Sequence, residues 1–253
     1  MGGAIASAVS RFEGAELYLA DASEEKCMAL SEKTRATPCT NKRIAAECAF
    51  VFLGVKPGVV GFVLEEIKNE ISSNPNAVVV TMAAGVAIRA IEQILPRTKV
   101  IRIMPNTPVA VGCGMITWCK NELVTECDAE NFLSVMSGAG MLDLVSEGYI
   151  DAATAVAGCG PAFVYMFAEA IADGGVRCGL PRDKAMDYAT QTLIGAAEMI
   201  RKTGKHPGKL KDEVCSPGGS TIEGVHTLED GAFRALAANA VIASFEKTKK
   251  LSK

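Results

Sequence analysis

The sequence predicts an α/β domain followed by an all-helical domain. In the first part, short β-branched and apolar runs at residues 17–19, 50–53, 78–80 and 100–103 alternate with spacers of helical length. Such alternation is typical of βαβ units and a mostly parallel sheet. After residue 150 the strand-like runs disappear, and Ala-rich stretches at 151–172, 183–203 and 222–250 have the length and composition of helices. We therefore place an α/β domain at 1–147 and a helical domain at 148–253.

Composition excludes several classes of function. The chain has 253 residues, 49% of them hydrophobic, and a net charge of −3, whereas a nucleic-acid-binding protein normally shows a basic face. Charge, Gly or Pro interrupts each apolar run before the roughly 18 residues that a membrane span needs, so no membrane partner is expected. No charged and then apolar segment precedes a cleavage site, so we expect no export. Nine scattered Cys without a C-x-x-C pair, and only two His, favour reduced thiols in the cytoplasm and no metal.

The start of the chain resembles part of a nucleotide-binding turn. In open α/β domains a nucleotide binds at the first strand-to-helix turn, and the segment Met1-Gly2-Gly3-Ala4 has the form of a Gly-rich loop that runs into a helix. No strand precedes it, and the full G-x-G-x-x-G pattern is not present. If the domain binds a dinucleotide, we expect its central first strand and opening glycines to lie upstream of Met1, through a misassigned start or a truncation.

An acidic residue follows the next predicted strand. Asp21 comes about twenty positions after the Gly-rich turn, where an acidic side chain accepts hydrogen bonds from the ribose hydroxyls of NAD and repels the additional phosphate of NADP. A solvated Asp at a strand end explains the same residue equally well. The sequence leaves both interpretations open.

Small or rigid residues follow the later predicted strands. Val55-Lys56-Pro57-Gly58 and Ala83-Ala84-Gly85 would let a ligand approach the backbone at the carboxyl end of the sheet. Lys56 could face a phosphate, although a lone Lys is more often solvated. In the segment 102–108, RIMPNTP, two prolines stiffen the chain around Asn106, which suits ligand placement but also fits an ordinary Pro-rich loop.

The segment SPGGST at 216–221 predicts a turn that leads into a helix. Ser220 and Glu223 have the S-x-x-E spacing of a capping box, so we expect the helix to begin with Ser220 as its N-cap. Free N–H groups and the helix dipole make such a terminus a potential anion site. The residues alone do not distinguish an anion site from a well-capped helix.

Four blocks together carry a resemblance to a known family. VKPG at 55–58, RIMPNTP at 102–108, AGCGPAFVYMFAEA at 157–170 and HPGKLKDEVCSPGGSTIEGVHTLEDGAFR at 206–234 resemble pyrroline-5-carboxylate reductase in this order and spacing. The resemblance implies a Rossmann-like domain that binds NAD(P)H. It also implies a helical domain that forms a homodimer, which can assemble further into a decamer, and reduction of L-1-pyrroline-5-carboxylate to L-proline, the last step of proline biosynthesis.

The resemblance also assigns roles to residues. The substrate carboxylate would bind at Gly218, Gly219, Ser220 and Thr221, and the Thr221 hydroxyl would hydrogen-bond the imine nitrogen. The residues implied at the cofactor are Gly2, Gly3 and Ala4 beside the phosphates, Asp21 near the adenine ribose, Val55, Lys56, Pro57, Ala83, Ala84 and Gly85 along the cleft, and Asn106 near the nicotinamide. Family members that favour NADP commonly carry a small hydroxyl or basic residue at the place of Asp21, so we lean towards NADH.

Two features of this chain depart from the family pattern, and two other functions also fit the sequence. The family's first strand is not in this chain, which puts cofactor affinity and sheet stability in doubt, and Ser220 replaces the first Thr of the usual GGTT. Another Rossmann reductase, acting on hydroxyacids or other imines, would share the cofactor domain but lacks SPGGST. A dinucleotide-binding or assembly protein without catalytic activity would bind the cofactor without turnover.

Overall fold

A computed structural model describes residues 1–251 of the chain, which form two compact units. Of the described residues, 1–159 and 244–251 form the first unit, and 160–243 form the second. The α/β character of the first and the helical character of the second confirm the predicted fold class.

The first unit holds the strands. Within residues 1–251 there are seven strands, β1 (Tyr18–Leu19), β2 (Thr37–Pro38), β3 (Phe50–Leu53), β4 (Val78–Thr81), β5 (Lys99–Met104), β6 (Gly114–Lys120) and β7 (Gly140–Leu144). They form a two-stranded sheet, β1-β2, and a five-stranded sheet in the order β3-β4-β5-β6-β7. Neighbouring strands are parallel except for the antiparallel pair β5-β6. All four predicted runs are strands, whereas β2, β6 and β7 were not predicted.

Helices follow most strands and make up the second unit. They are α1 (Gly2–Val9), α2 (Glu24–Thr34), α3 (Asn41–Glu47), α4 (Pro57–Ser73), α5 (Ile88–Ile94), α6 (Glu126–Val135), α7 (Ile150–Ala153), α8 (Gly160–Arg177), α9 (Arg182–Thr203), α10 (Pro207–Val214), α11 (Ser220–Asp230) and α12 (Phe233–Leu251), with a π-helical turn at Thr154–Gly158. The single helix predicted at 222–250 is two helices, because Ala232 takes a left-handed conformation with φ of 55°. The helix predicted at 151–172 is divided by the π-helical turn, and its second part, α8, continues to Arg177.

The five-stranded sheet is buried on both faces. Alternate residues of a strand point to opposite faces, so Val78 and Val80 join one hydrophobic cluster while Val79 joins the other. Trp118 and Phe132 pack in the first cluster with ring centroids 5.2 Å apart. Full burial and a Val-rich sequence therefore make β4 typical of a central strand in a parallel sheet.

The two sheets leave a gap between β1 and β3. In the described part of the chain β1 pairs only with β2, and β3 only with β4, so each has one open edge. A cavity of about 1610 Å³ is lined by residues of both strands and by Met1, Gly2 and Gly3. The expectation that a further central strand belongs to this domain stays a prediction, and this gap is where such a strand would find two hydrogen-bonding edges.

The second unit buries little apolar surface by itself. Its cluster of fully buried side chains consists of Ala172, Ala185 and Ala189, with Val176 packed against it. Large apolar side chains that are 58 to 69% exposed are Tyr165, Met166, Tyr188, Val214 and Leu236. Because soluble proteins rarely leave so much apolar surface in water, the exposed surface of this unit is typical of one that another protein surface covers.

One helical segment also differs from the expectation about membrane spans. The helical residues Glu147–Arg177 include an 18-residue window of mean hydropathy 1.5, long and apolar enough to cross a membrane by length and composition alone. The expectation that every apolar run is too short to span a membrane is therefore not met for this segment. Only 11% of the window is buried within this one chain.

The start of α6 yields a prediction about pH. Partial burial acts to raise the pKa of Asp128, but hydrogen bonds from Thr125 and Lys99 outweigh it and hold the pKa below its ordinary value. A carboxylate with a lowered native pKa adds stability that is present at neutral pH and is lost as pH falls through that pKa. We expect Asp128→Asn to lower Tm by about 3 °C at pH 7. The difference from the unmodified chain should vanish in acid, whereas Glu130→Gln, an exposed change on α6, should alter Tm at neither pH.

Candidate functional site

The carboxyl ends of three parallel strands bring several predicted site residues to one edge of the sheet. Leu53 of β3 is in register with Thr81 of β4, which is in register with Arg102 of β5. The segments that follow these strands contain residues 55–57, residues 83–85 and Asn106. Residues that are separated in sequence therefore meet at the edge where open α/β sheets bind ligands.

The N-terminus of α1 lies at the same edge. A Cβ atom on Gly54, directly after β3, would lie 2.9 Å from the Cα of Gly2, and a Cβ on Gly2 would lie 3.2 Å from the Cα of Gly54. Only two glycines allow the helix to approach the strand end this closely. No side chain in residues 1–251 caps α1, so its first amides have no side-chain acceptor. The sequence analysis identified Gly2 but not Gly54.

Asp21 and the glycines line one cavity. Gly2, Gly3, Asp21 and Val55 all border the cavity between β1 and β3. The Asp21 carboxylate is exposed, and its Oδ1 accepts a hydrogen bond of 2.8 Å from the amide of Ser23 ahead of α2. A helix N-terminus without a side-chain cap, glycines without side chains and a carboxylate on the wall fit a dinucleotide, with its phosphates at α1 and its ribose at Asp21.

The other cleft residues have distinct local settings. Lys56 is exposed and is the N-cap of α4, and Pro57 occupies the first helical position, where Pro is preferred. Ala83 is buried and its amide donates to Thr81 Oγ1 at 3.3 Å. Gly85 has a φ of 76°, a conformation that favours glycine. Ala4 lies in the first turn of α1, and Ala84 is exposed at the edge.

Asn106 is buried, and both ends of its amide have protein partners. Its Oδ1 accepts from the amide of Met115 at 2.9 Å, and its Nδ2 donates to the carbonyl of Ala157 at 3.0 Å. The side chain thus ties the loop after β5 to β6 and to the π-helical turn. Its predicted place near the nicotinamide stays a prediction, and the role that the structure shows for its side chain is to hold the loop.

An ion pair that sequence reasoning missed lies beneath this edge. The side chain of Arg102 is 6% exposed, and its Nη1 donates to Glu147 Oε1 at 2.9 Å. The same oxygen accepts from the amide of Ile88, the first residue of α5, at 2.9 Å. Asp151 Oδ1 lies 3.9 Å from Arg102 Nη2. The available signal was one charged residue within the apolar run VIRIM, since a buried charge requires a partner.

SPGGST lies in the second unit and is built differently from the prediction. The N-cap of α11 is Gly219 rather than Ser220, and in the described chain no side chain caps this helix. The predicted capping box of Ser220 and Glu223 is therefore wrong, because Gly218, with φ of 68°, lets the turn close one residue earlier. The amide of Gly219 donates to the Ser216 carbonyl at 3.0 Å, so the amides available to an anion are those of the first turn.

Thr221 occupies the second position of α11 and is exposed. Thr residues within a helix commonly bond the carbonyl four residues earlier, as Thr227 does with Glu223 at 3.0 Å. For Thr221 that position is Pro217, ahead of the helix. Within residues 1–251 its hydroxyl has no hydrogen-bond partner, so it can donate to a ligand at the helix terminus.

Thiols and potential metal ligands are dispersed. All nine Cys are free, and in the described part of the chain no group of three or more His, Cys, Asp or Glu side chains is placed to hold a metal. Burial, followed by the charge of Glu147, raises the pKa of the Cys119 thiol to about 11, against the opposing effect of Arg102. This thiol is therefore neutral at physiological pH and a poor nucleophile.

Two families match parts of the chain. Residues 147–251 match the family described as pyrroline-5-carboxylate reductase dimerisation, and residues 1–85 match the family described as NADP oxidoreductase, coenzyme F420-dependent. Pyrroline-5-carboxylate reductase from Escherichia coli is 39% identical, in an alignment that covers 100% of this chain and 93% of the relative. The enzyme of that name from Arabidopsis thaliana is 42% identical over 84% of this chain and 76% of the relative.

Solved structures give the same likeness. Pyrroline carboxylate reductase from Plasmodium falciparum, solved with NADP bound, has a TM-score of 0.88 and 32% identity, covering 100% of this chain and 96% of its own. A pyrroline-5-carboxylate reductase from Coxiella burnetii has a TM-score of 0.90 and 30% identity, covering 100% and 94%. The similarity therefore extends across both units.

Proposed function

This chain belongs to the pyrroline-5-carboxylate reductase family, and we propose that it reduces L-1-pyrroline-5-carboxylate to L-proline with NAD(P)H. The chain is accordingly an oxidoreductase with a Rossmann-like NADP oxidoreductase domain and a helical dimerisation domain. The observation that carries the proposal is the start of α11, where first-turn amides have no side-chain cap and a free Thr221 hydroxyl stands beside them.

The substrate carries a carboxylate and an imine, and α11 offers a group for each. The amides of Ser220 and Thr221 at the positive end of the helix dipole bind the carboxylate. Gly218 and Gly219 leave space for its approach because they have no side chains. The Thr221 hydroxyl donates to the imine nitrogen, where electron density grows during reduction. A Thr hydroxyl is too weak an acid to supply the proton, which arrives on the imine itself or through water.

The residues at the sheet edge fit the cofactor. Bound NAD(P)H supplies the hydride that the imine carbon receives. Gly2, Gly3 and Ala4 at the start of α1 receive the phosphates, and Asp21 lies at the adenine ribose. The cleft continues along Val55, Lys56, Pro57, Ala83, Ala84 and Gly85 to the loop of Asn106. The contribution of the chain is to align the two reactants, since fixed orientation lowers the barrier to hydride transfer.

Asp21 provides a test of cofactor preference. The family matched at residues 1–85 is named for NADP, whereas a carboxylate at the ribose repels the phosphate of NADP, and we propose NADH as the better donor. Asp21→Ser should shift the ratio of kcat/KM for NADH over NADPH by about tenfold towards NADPH. Steady-state kinetics with both cofactors measure this ratio. Glu24→Gln removes a nearby exposed charge from α2 and should leave the ratio unchanged; an equal shift in both variants would exclude a specific role for Asp21.

The exposed apolar surface of the second unit supports a homodimer through the helical domain, which can assemble further into a decamer. A second copy would cover side chains such as Tyr165 and Met166 and the apolar window within Glu147–Arg177, which accounts for its composition without a membrane. Light scattering at micromolar concentration measures the molecular mass in solution, and a mass equal to that of one chain would exclude the dimer.

The nine free thiols support a cytoplasmic location for the protein, and fractionation of the source cells tests that location.

The proposed reaction is tested by initial rates with L-1-pyrroline-5-carboxylate and either NADH or NADPH. Two proteins are compared: the chain of 253 residues and a version with an apolar strand joined ahead of Met1. We expect imine-dependent cofactor oxidation, faster in the extended version because the added strand pairs with both β1 and β3. Cofactor binding without turnover in either protein would favour a non-catalytic role, and turnover of hydroxyacids instead of the imine would favour another reductase.

A further inference from the structure

The ion pair of Arg102 and Glu147 connects parts of the chain that serve the cofactor edge. Arg102 lies in β5, four residues before Asn106. Ile88, whose amide bonds the same carboxylate oxygen, follows the 83–85 segment at the start of α5. Glu147 Oε1 thus accepts from both chain segments, each at 2.9 Å. One oxygen atom thus joins β5 to the start of α5, the two elements that border the loops after β5 and β4.

Burial makes this contact strong. The Arg102 side chain is 6% exposed, whereas the exposed ion pair of Lys120 and Glu126 leaves Glu126 at 88% exposure. Arg102 Nε is buried without a hydrogen-bond partner in residues 1–251, so its charge depends on Glu147 and on the more distant Asp151. Loss of Glu147 would leave the buried charge of Arg102 with Asp151 alone, at 3.9 Å, which is more costly than loss of a surface pair.

A second bond joins the same loop to the same connecting segment. Asn106 Nδ2 donates to the carbonyl of Ala157, ten residues after Glu147. The chain that runs from β5 into the following loop is consequently held twice, by Arg102 to Glu147 and by Asn106 to Ala157. Among these hydrogen bonds, only the one from the Ile88 amide to Glu147 connects the 83–85 loop to Arg102 and Asn106. A shift of Glu147 would therefore move the 83–85 loop relative to Asn106.

We propose that Glu147 is a positioning residue that sets the width of the cofactor cleft between residues 83–85 and Asn106. It touches neither substrate nor cofactor and acts through Ile88 and Arg102. The inference rests on the proposed function, since it takes these two loops as walls of the nicotinamide cofactor site. It predicts a specific effect on cofactor affinity, which a residue needed only for stability would not show.

The test compares Glu147→Gln with Glu126→Gln in the full chain. Cofactor binding is measured by fluorescence titration with NADPH and with NADH, which requires no turnover, so a failure of the proposed reaction would not obscure the result. We expect Glu147→Gln to raise the Kd and KM for the cofactor about tenfold and the KM for the imine less than twofold. Glu126→Gln should change none of them. Unchanged cofactor Kd in Glu147→Gln, or an equal rise in both KM values, would overturn the proposal.

A double variant separates positioning from folding. Arg102→Met with Glu147→Leu removes the buried Arg102 charge together with its partly exposed partner, and replacement of both members of an ion pair by apolar side chains commonly restores stability. We expect the Tm of the double variant to lie above that of Glu147→Gln and near that of the unmodified chain. Its cofactor Kd should stay raised, because no carboxylate then joins Ile88 to β5. Recovery of Tm together with cofactor affinity would show that the pair only fills space, and would contradict a positioning role.

Discussion

Replacement of Thr221 by Val is expected to lower kcat about 100-fold while the cofactor Kd stays unchanged. Val keeps the shape of the side chain and removes the hydroxyl, which is exposed at the second position of α11 and has no protein partner in residues 1–251. The imine nitrogen then loses its donor as electron density develops on it. Stopped-flow measurement of cofactor oxidation at saturating imine reports the change in the chemical step.

The matched control for this variant is Thr227→Val. Thr227 lies on the same helix, is exposed and uses its hydroxyl for the Glu223 carbonyl, so its loss should leave kcat within twofold. If Thr221→Val weakened cofactor binding as much as it slowed catalysis, or if both variants had the same effect, the role assigned to the Thr221 hydroxyl would be wrong.

Replacement of Gly140 by Ala is expected to reduce the free energy of unfolding of the first unit by about 4 kcal/mol. Gly140 begins β7 with φ of 131°, and an added Cβ would lie 2.1 Å from the carbonyl oxygen of Gly114 in β6. The atom that it meets belongs to the backbone and cannot rotate away. Urea denaturation followed by the fluorescence of Trp118, the only Trp of the chain, measures the loss.

Gly14→Ala separates the two causes of that loss. Gly14 also has positive φ, 104°, but a Cβ there would have no neighbour within 4 Å. It should therefore lose only the conformational contribution, about 1 kcal/mol. Equal losses at Gly14 and Gly140 would show that the contact with β6 contributes nothing, which contradicts the close approach of the two strands.

The strands β3, β4 and β5, which have continuous apolar runs, could be predicted, whereas β2, β7 and also β6, whose apolar run is interrupted by Thr117, were missed. β3, β4 and β5 are apolar because both faces of the sheet are covered. β7 is an edge strand of mixed exposure, and β2 has only two residues, one of them Pro. Neither carries a periodic signal, since pairing partners and not composition define them.

Site residues could be predicted where the residue type itself indicates the role. They could not be predicted where the role depends on a tertiary contact. Glycines at Gly2 and Gly85 and the SPGGST turn are visible in the sequence, because special backbone geometry requires them. Gly54 and Glu147 acquire their roles from Gly2 and Arg102, which approach only in the folded chain. The predicted N-cap of α11 was wrong by one residue, because the conformation of Gly218, and not the S-x-x-E pattern, decides where the helix begins.

That this chain transfers a hydride to the imine carbon of pyrroline-5-carboxylate is a claim that isotope labelling can test. The purified protein is incubated with the imine and with NADH or NADPH that carries two deuterium atoms at the nicotinamide C4 position. We predict proline with one deuterium on the ring carbon that is bonded to nitrogen and remote from the carboxylate. Oxidation of the cofactor without labelled proline, or proline without deuterium, would contradict the claim.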